Sequence, residues 1–281
     1  MSQEFLNHSS TPLTDNELER LHEAVIGAAR RRLVGRRFIE IFGPMGPGVQ
    51  AVPYDEFTGE DQGAIDLTGE GDTGPVITDR RSFKPLPIIY KDFIIHWRDL
   101  EMWRQLGMPV DDSAAAGAAT WCAEREDRLI FHGNEKIGFD GLMTHPARHQ
   151  LPLSKGWAVP GAALQDVVAA TGKMYESGHF GPYAMAVSPQ LFANLHRMWE
   201  DARTMEIDNV RRLVADGIFR CDVLEGDSAV IVSTGRENMD LAVGLDMTVA
   251  YLGAEKMNHP FRVLETLCLR IKHADAICTL G

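Results

Sequence analysis

Residues 31–54, RRLVGRRFIEIFGPMGPGVQAVPY, decide how the chain is read. A cationic helix end breaks at Gly35, a short strand over 36–42 follows, and Gly43-Pro44-Met45-Gly46-Pro47-Gly48 opens a loop. Nothing in the stretch pairs a nucleophile with a base or gathers metal ligands. It reads as architecture, an arm feeding an extended hairpin.

Upstream, Thr14-Asp15-Asn16-Glu17 is a capping box, and Leu18, Leu21, Val25, Ala28, Ala29 and Leu33 follow at helical spacing. Gly35 is the expected C-terminal cap, and Arg30, Arg31 and Arg32 sit in the last turn, where the helix dipole favours cations. Downstream, residues 55–74 alternate acids (Asp55, Glu56, Glu60, Asp61, Asp66, Glu70, Asp72) with glycines. Such a segment cannot bury a core of its own, so it is a disordered loop or a long hairpin that gains its burial from a neighbour. Strand-like residues 76–78 and 83–97 beyond it favour the hairpin.

Phe93, Ile95 and Trp97 alternate with Asp92, Ile94 and His96, as a strand with one buried face would. Asp112 then caps a long helix through Phe131, whose apolar stripe is Ala115, Ala118, Ala119, Cys122, Leu129 and Ile130. Glu124, Glu126 and Asp127 are assigned to its solvated side. Residues 160–217 read as helix (Leu164, Val167, Val168, Thr171, Met174, Tyr175), strand (184–187), a helix started by Ser188-Pro189, a loop at 200–204 and a helix over 207–215. From Ile218 the chain is strand-rich, closing with 262–271. Helices and strands cluster rather than alternate, which gives an α+β class.

The chain has 281 residues, 44% hydrophobic and 24% charged, with a net charge of −12. That balance supports a real core and argues against nucleic-acid binding, which needs clustered Lys and Arg. No apolar run is long enough to span a membrane and the N-terminus lacks the regions of a signal peptide, so a cytoplasmic protein with four reduced cysteines is expected. Gly69-Glu70-Gly71-Asp72-Thr73-Gly74 spells GxGxxG, but no buried strand precedes it and its two acids would repel a pyrophosphate. His145 and His149 have metal-like spacing, yet Pro146 separates them and no local carboxylate or cysteine joins them, so a surface loop is expected. GxSxG, HExxH and P-loop motifs are missing, and an enzyme such as a secreted protease lacks its nucleophile, its base and its signal peptide. The expectation is no enzyme, no cofactor and no metal site.

Phe5-Leu6, Pro12-Leu13-Thr14, Leu33-Val34-Gly35-Arg36-Arg37-Phe38 and Gly43-Pro44 resemble the N-terminal signature of encapsulin shell proteins. Arg128-Leu129-Ile130-Phe131-His132-Gly133 with Gly141-Leu142, then Gly181-Pro182-Tyr183 and Gly244-Leu245-Asp246-Met247, match in order and spacing. The resemblance runs along nearly the whole chain and is strongest to family 1 shells around iron-storing, ferritin-like cargo.

It implies the fold of tailed-phage major capsid proteins (HK97-type). Residues 1–42 would be the helical arm and start of the P-domain, 43–82 the E-loop, 83–142 the P-domain with its spine helix, 143–235 the A-domain, and 236–281 returning strands that complete both. It further implies self-assembly into an icosahedral compartment and capture of a cargo enzyme by a short C-terminal targeting peptide. A prophage capsid protein and a shell around a dye-decolourising peroxidase are the alternatives. The family's peptide site lies beside the N-terminal helix. Here it maps to Leu21, Val25 and Ala29 on one helix face and to Arg36, Phe38 and Glu40 on one strand face, with Glu40 meeting a basic peptide residue. The fivefold pore maps to Glu200, Asp201, Arg203, Thr204 and Glu206, an acidic loop suited to ferrous iron.

Overall fold

The computed structural model describes residues 4–57, 65–69, 78–198 and 204–281. In chain order its helices are α1 (Asp15–Arg32), α2 (Trp97–Leu106), α3 (Ser113–His132), α4 (Ala162–Glu176), α5 (Pro189–Leu195) and α6 (Glu206–Val210). The strands are β1 (Ile41–Phe42), β2 (Ala51–Phe57), β3 (Thr78–Pro85), β4 (Ile88–Ile95), β5 (His149–Leu151), β6 (Tyr183–Val187), β7 (Ile218–Arg220), β8 (Ala229–Ser233), β9 (Met239–Tyr251), β10 (His259–Ile271) and β11 (Ile277–Leu280).

Two sheets organise the molecule. One runs β1-β9-β10-β4 and is covered by α1 and α3; the other runs β5-β11-β8-β6-β7 and packs against α4. Two buried clusters fill the interior, the first reaching from the first sheet to Ala186, Val232 and Ile277 on the second. The first joins Leu21 and Val25 to Ile130, Phe261 and Leu267, and the second centres on Trp157, Met174, Met185 and Leu191. A short 3-10 turn, Ala274–Ala276, carries the chain from β10 in the first sheet to β11 in the second.

Several local readings hold. The Thr14–Glu17 capping box forms in full, Ser188 accepts from the Leu191 N–H with Pro189 at the first helical position, and all six apolar residues of the long helix are buried. β2 and β3 pair antiparallel as a hairpin. Its base is fastened to β10, where the Tyr54 hydroxyl donates to the Ile271 carbonyl and Arg270 Nη1 donates to the Pro53 carbonyl at 3.0 Å. Residues 58–64 and 70–77, most of the acidic segment and of the GxGxxG match, lie outside the described residues. The four cysteines are free and buried; burial pushes the thiols of Cys122 and Cys221 up to about 12 and those of Cys268 and Cys278 up to about 11.

Other readings are corrected. Residues 36–42 are not one strand: Gly35–Arg37 is a 3-10 turn and only Ile41–Phe42 pairs, parallel to β9. α1 ends at Arg32 rather than at Gly35, with Leu33 as its cap. Trp97 does not extend the buried face of β4 but begins α2, where it is exposed. The Asp112 side chain makes no cap; Asp111 accepts from the Ser113 N–H instead, at 2.9 Å. On α4 the buried stripe is Ala163, Val167, Ala170 and Met174, whereas Val168 and Tyr175 face outward. His149 lies in β5, not in a loop, and meets Ser177 Oγ at 3.0 Å. The last helix of the 160–217 region covers only Glu206–Val210.

Candidate functional site: the groove beside the N-terminal helix

α1 lies across α3 and β9, and its burial separates two faces. Leu21, Val25 and Ala29, expected to face a peptide, are 2%, 0% and 3% exposed and belong to the chain's own core. The accessible face is Glu19, His22 and Ile26, with Ile26 38% exposed. A 3.6-residue period marks the apolar stripe but does not say whether the stripe is covered by the same chain or by a guest.

A groove of about 850 Å³ opens along the accessible face. One wall is Phe5, His8, Asp15, Leu18, Glu19, His22 and Ile26; the other is Pro44, Gly46, Pro47 and residues 244–248 of β9. The Gly43–Gly46 turn is tied to β9 by the Met45 and Gly46 N–H groups, which donate to the carbonyls of Val243 and Gly244 at 3.0 and 2.8 Å. Within the groove, His8 Nε2 meets the Val249 carbonyl at 2.7 Å, and the His8 and His22 rings meet edge-on at 5.4 Å. Burial, and then the charge of His8, pull the His22 pKa down. Asp15, Glu19 and Asp246 make the rim acidic, and Phe5 and Ile26 are half-exposed apolar surfaces between them.

Behind this groove the turn after α1 is held by charge. Arg36 Nε donates to Glu126 Oε1 at 2.7 Å and its Nη2 to Glu126 Oε2 at 2.9 Å, a two-bond fork. Nη2 also reaches Glu265 Oε2 at 2.8 Å, and Nη1 reaches Asp246 Oδ1 at 2.6 Å on the groove rim. Burial works against the Arg36 cation, but the charges of Glu126 and Glu265 outweigh it and raise its pKa. Burial and the charge of Glu126, opposed by Arg36, lift Glu265 well above the ordinary carboxylate range. Glu126 and Glu265 are both fully buried, so the assignment of Glu126 and Asp127 to solvent is overturned.

Asp127 completes the anchor by accepting from the Val34 and Gly35 N–H groups at 3.0 and 2.9 Å. Gly35 packs closely on the helix: a Cβ there would sit 2.6 Å from Ile130 Cδ1 and would force that side chain to shift. Burial raises the Asp127 pKa to about 7, against the lowering effect of the Gly35 and Val34 bonds. Its folded pKa lies above its unfolded value, so the stabilising contribution is full below about pH 4 and is lost as pH rises towards 7. The wild-type thermal midpoint, taken relative to that of Asp127→Asn, should therefore fall across this interval. The change corresponds to at most about 4 kcal/mol. A pH-independent difference between the two proteins would disprove the linkage.

The six residues expected to form one docking site are thus divided. Arg36 reaches the groove only through Asp246, and Phe38 is buried against Phe131 and Phe219. Glu40 lines a separate groove together with Arg36, Phe38, Pro182 and Glu237, and pairs with Arg236 at 3.2 Å. Of the expected pore residues, Glu200, Asp201 and Arg203 lie outside the described residues, and Thr204 is exposed. Glu206 is 5% exposed, and its carboxylate accepts from the Ala163 N–H at 3.0 Å, capping the start of α4. Its lumenal role is withdrawn, because a capping side chain packed in the core cannot line an opening.

A family model described as "Encapsulating protein for peroxidase" matches residues 3–268. Over 277 residues the chain is 57% identical to the type 1 encapsulin shell protein EncA of Myxococcus xanthus, covering 99% of this chain and 96% of that protein. Among solved structures it is similar to a virus-like particle from Pyrococcus furiosus, with TM-score 0.76 and 22% identity over 94% of this chain and 98% of that one. It is also similar to the capsid of the myovirus XM1, with TM-score 0.62 and 10% identity over 86% and 88% of the two chains. The fold is the α+β fold of phage major capsid proteins.

Proposed function

The chain belongs to the encapsulin shell-protein family, and from that membership we propose that it is the structural subunit of a closed icosahedral compartment that holds an enzyme. The observation that carries this reading is the 57% identity to a shell protein along 99% of the chain. The test is size-exclusion chromatography with negative-stain imaging of the purified protein. Closed particles are expected, and a monomer or small oligomer at micromolar concentration would end the reading.

The four-stranded sheet with α1 and α3 is the peripheral domain in this assignment, the five-stranded sheet with α4 is the axial domain, and the β2–β3 hairpin is the E-loop that reaches a neighbour. Deleting residues 59–71 should leave soluble capsomers or aggregates in place of shells. Complete shells from that variant would make the hairpin dispensable.

The occupant proposed for the groove is the C-terminal targeting peptide of the cargo, with apolar side chains against Phe5 and Ile26 and a basic residue facing Asp15, Glu19 and Asp246. The support is charge complementarity and the groove's position beside α1. The proposed setting is the cytoplasm.

The cargo proposed is a ferritin-like, iron-oxidising enzyme, supported by the acidic pair Glu200 and Asp201 in the segment assigned to the fivefold opening. Symmetry repeats each charge around that axis, so one acidic side chain per subunit becomes a ring that concentrates cations. Changing Glu200 and Asp201 to Lys should slow iron uptake by loaded shells several-fold, and more at low than at high salt. Equal rates at low ionic strength would remove the loop from the pathway. A peroxidase cargo is the second reading, favoured by the family description, and haem absorbance in co-purified cargo would select it.

A further inference from the structure

Away from the groove, two segments bring metal-ligand chemistry to one point. His179 follows the end of α4, where its N–H donates to the Met174 carbonyl at 3.0 Å and its own carbonyl accepts from the Tyr183 hydroxyl. His273 and Asp275 belong to the turn between β10 and β11, fixed where the Lys272 and His273 N–H groups both donate to the Asn238 carbonyl, at 2.8 and 3.0 Å. His179 Nε2 lies 2.9 Å from Asp275 Oδ1, and the two imidazole rings are 5.6 Å apart at 58°. One ligand atom from each residue lies within 4.8 Å of the other two.

We propose that His179, His273 and Asp275 form a divalent transition-metal site that clamps the end of α4 to the crossover between the two sheets. Two imidazoles and one carboxylate suit Zn²⁺, Fe²⁺ or Co²⁺ rather than Ca²⁺ or Mg²⁺, which take oxygen ligands. Tetrahedral bonds of about 2.0–2.2 Å place neighbouring ligands about 3.4 Å apart, between the 2.9 Å His179–Asp275 separation and the 4.8 Å span of the three ligand atoms. The Asp275 side chain is 44% exposed and that of His179 only 11%, so the site has an open side for the ion and a shielded side that holds it. Binding would draw together three ligand atoms that already lie within 4.8 Å, on backbone held by the Met174 and Asn238 carbonyls. The site is independent of the cargo groove and of which enzyme the shell holds.

The test uses assembled shells stripped with EDTA and titrated with CoCl₂. A saturable visible d–d band with one ion per subunit is expected. Asp275→Asn and His273→Gln should weaken cobalt binding at least tenfold. ZnCl₂ in hundredfold excess over the wild-type dissociation constant should raise the thermal midpoint of the wild type by about 5 °C or more, and that of each variant by distinctly less. Asp275→Asn is nearly isosteric at a part-exposed position and serves as the test if His273→Gln fails to assemble. The proposal is overturned if the wild type shows no saturable band. It is also overturned if Asp275→Asn binds cobalt as tightly as the wild type, or is stabilised equally by zinc.

Discussion

Replacing Arg36 with alanine is expected to abolish closed shells. The change removes one cation and leaves Glu126 and Glu265 facing each other, both fully buried. Removing one partner of a buried ion pair costs about 3–5 kcal/mol, because the remaining charge has neither water nor counterion. That is a large part of a typical domain stability of about 5–15 kcal/mol. The loss falls on the turn that joins α1 to β1, so the arm detaches from α3 at the same time. Arg36→Lys keeps the charge but cannot reproduce the fork to Glu126, and should give shells with a lowered thermal midpoint. A triple replacement of Arg36, Glu126 and Glu265 by Met removes the cation together with both fully buried carboxyl groups and should assemble better than Arg36→Ala alone. Negative-stain particle counts rank the three, and wild-type yields from Arg36→Ala would show that the network does not anchor the arm.

The network was half legible in the sequence. In the long helix Ala119, Cys122, Glu126 and Ile130 follow one another at three and four residues, so Glu126 stands on the apolar stripe that was otherwise read correctly. In the last long strand Phe261, Val263, Glu265, Leu267, Leu269 and Ile271 alternate by two, and Glu265 occupies the buried row. A carboxylate on a core row calls for a buried cation, and Arg36 is the one the structure supplies. What hid it was the strand reading of 36–42: a period of two sends Arg36 outward with Phe38 and Glu40, whereas the 3-10 turn lets its guanidinium reach the buried Glu126 and Glu265 although all three residues still line one groove. Glu206 was missed for another reason. Its capping of α4 joins residues more than forty positions apart, and no local pattern reports such a bond.

Ile26→Asp is expected to abolish cargo loading while leaving shell formation intact. Ile26 is the exposed apolar residue of α1 inside the groove, 38% exposed and placed opposite residues 244–248 of β9. A carboxylate there removes an apolar contact for the targeting peptide and adds charge beside Asp15, Glu19 and Asp246. An exposed position tolerates the change in the empty shell, because no buried group loses a partner. Val25, one position away, behaves oppositely. It is 0% exposed in the core between α1 and α3, so Val25→Asp buries an unpaired charge and should eliminate the shell itself. The pair separates docking from folding. A fluorescent protein carrying the cargo's C-terminal peptide, co-expressed with each variant, reports loading by co-elution with the particle peak. For Ile26→Asp the particle peak should persist with at least tenfold less fluorescence, and for Val25→Asp the peak should vanish. Undiminished fluorescence in Ile26→Asp particles would place the peptide elsewhere. Glu40→Lys then becomes the informative variant, since Glu40 lines the other groove on this side of the turn.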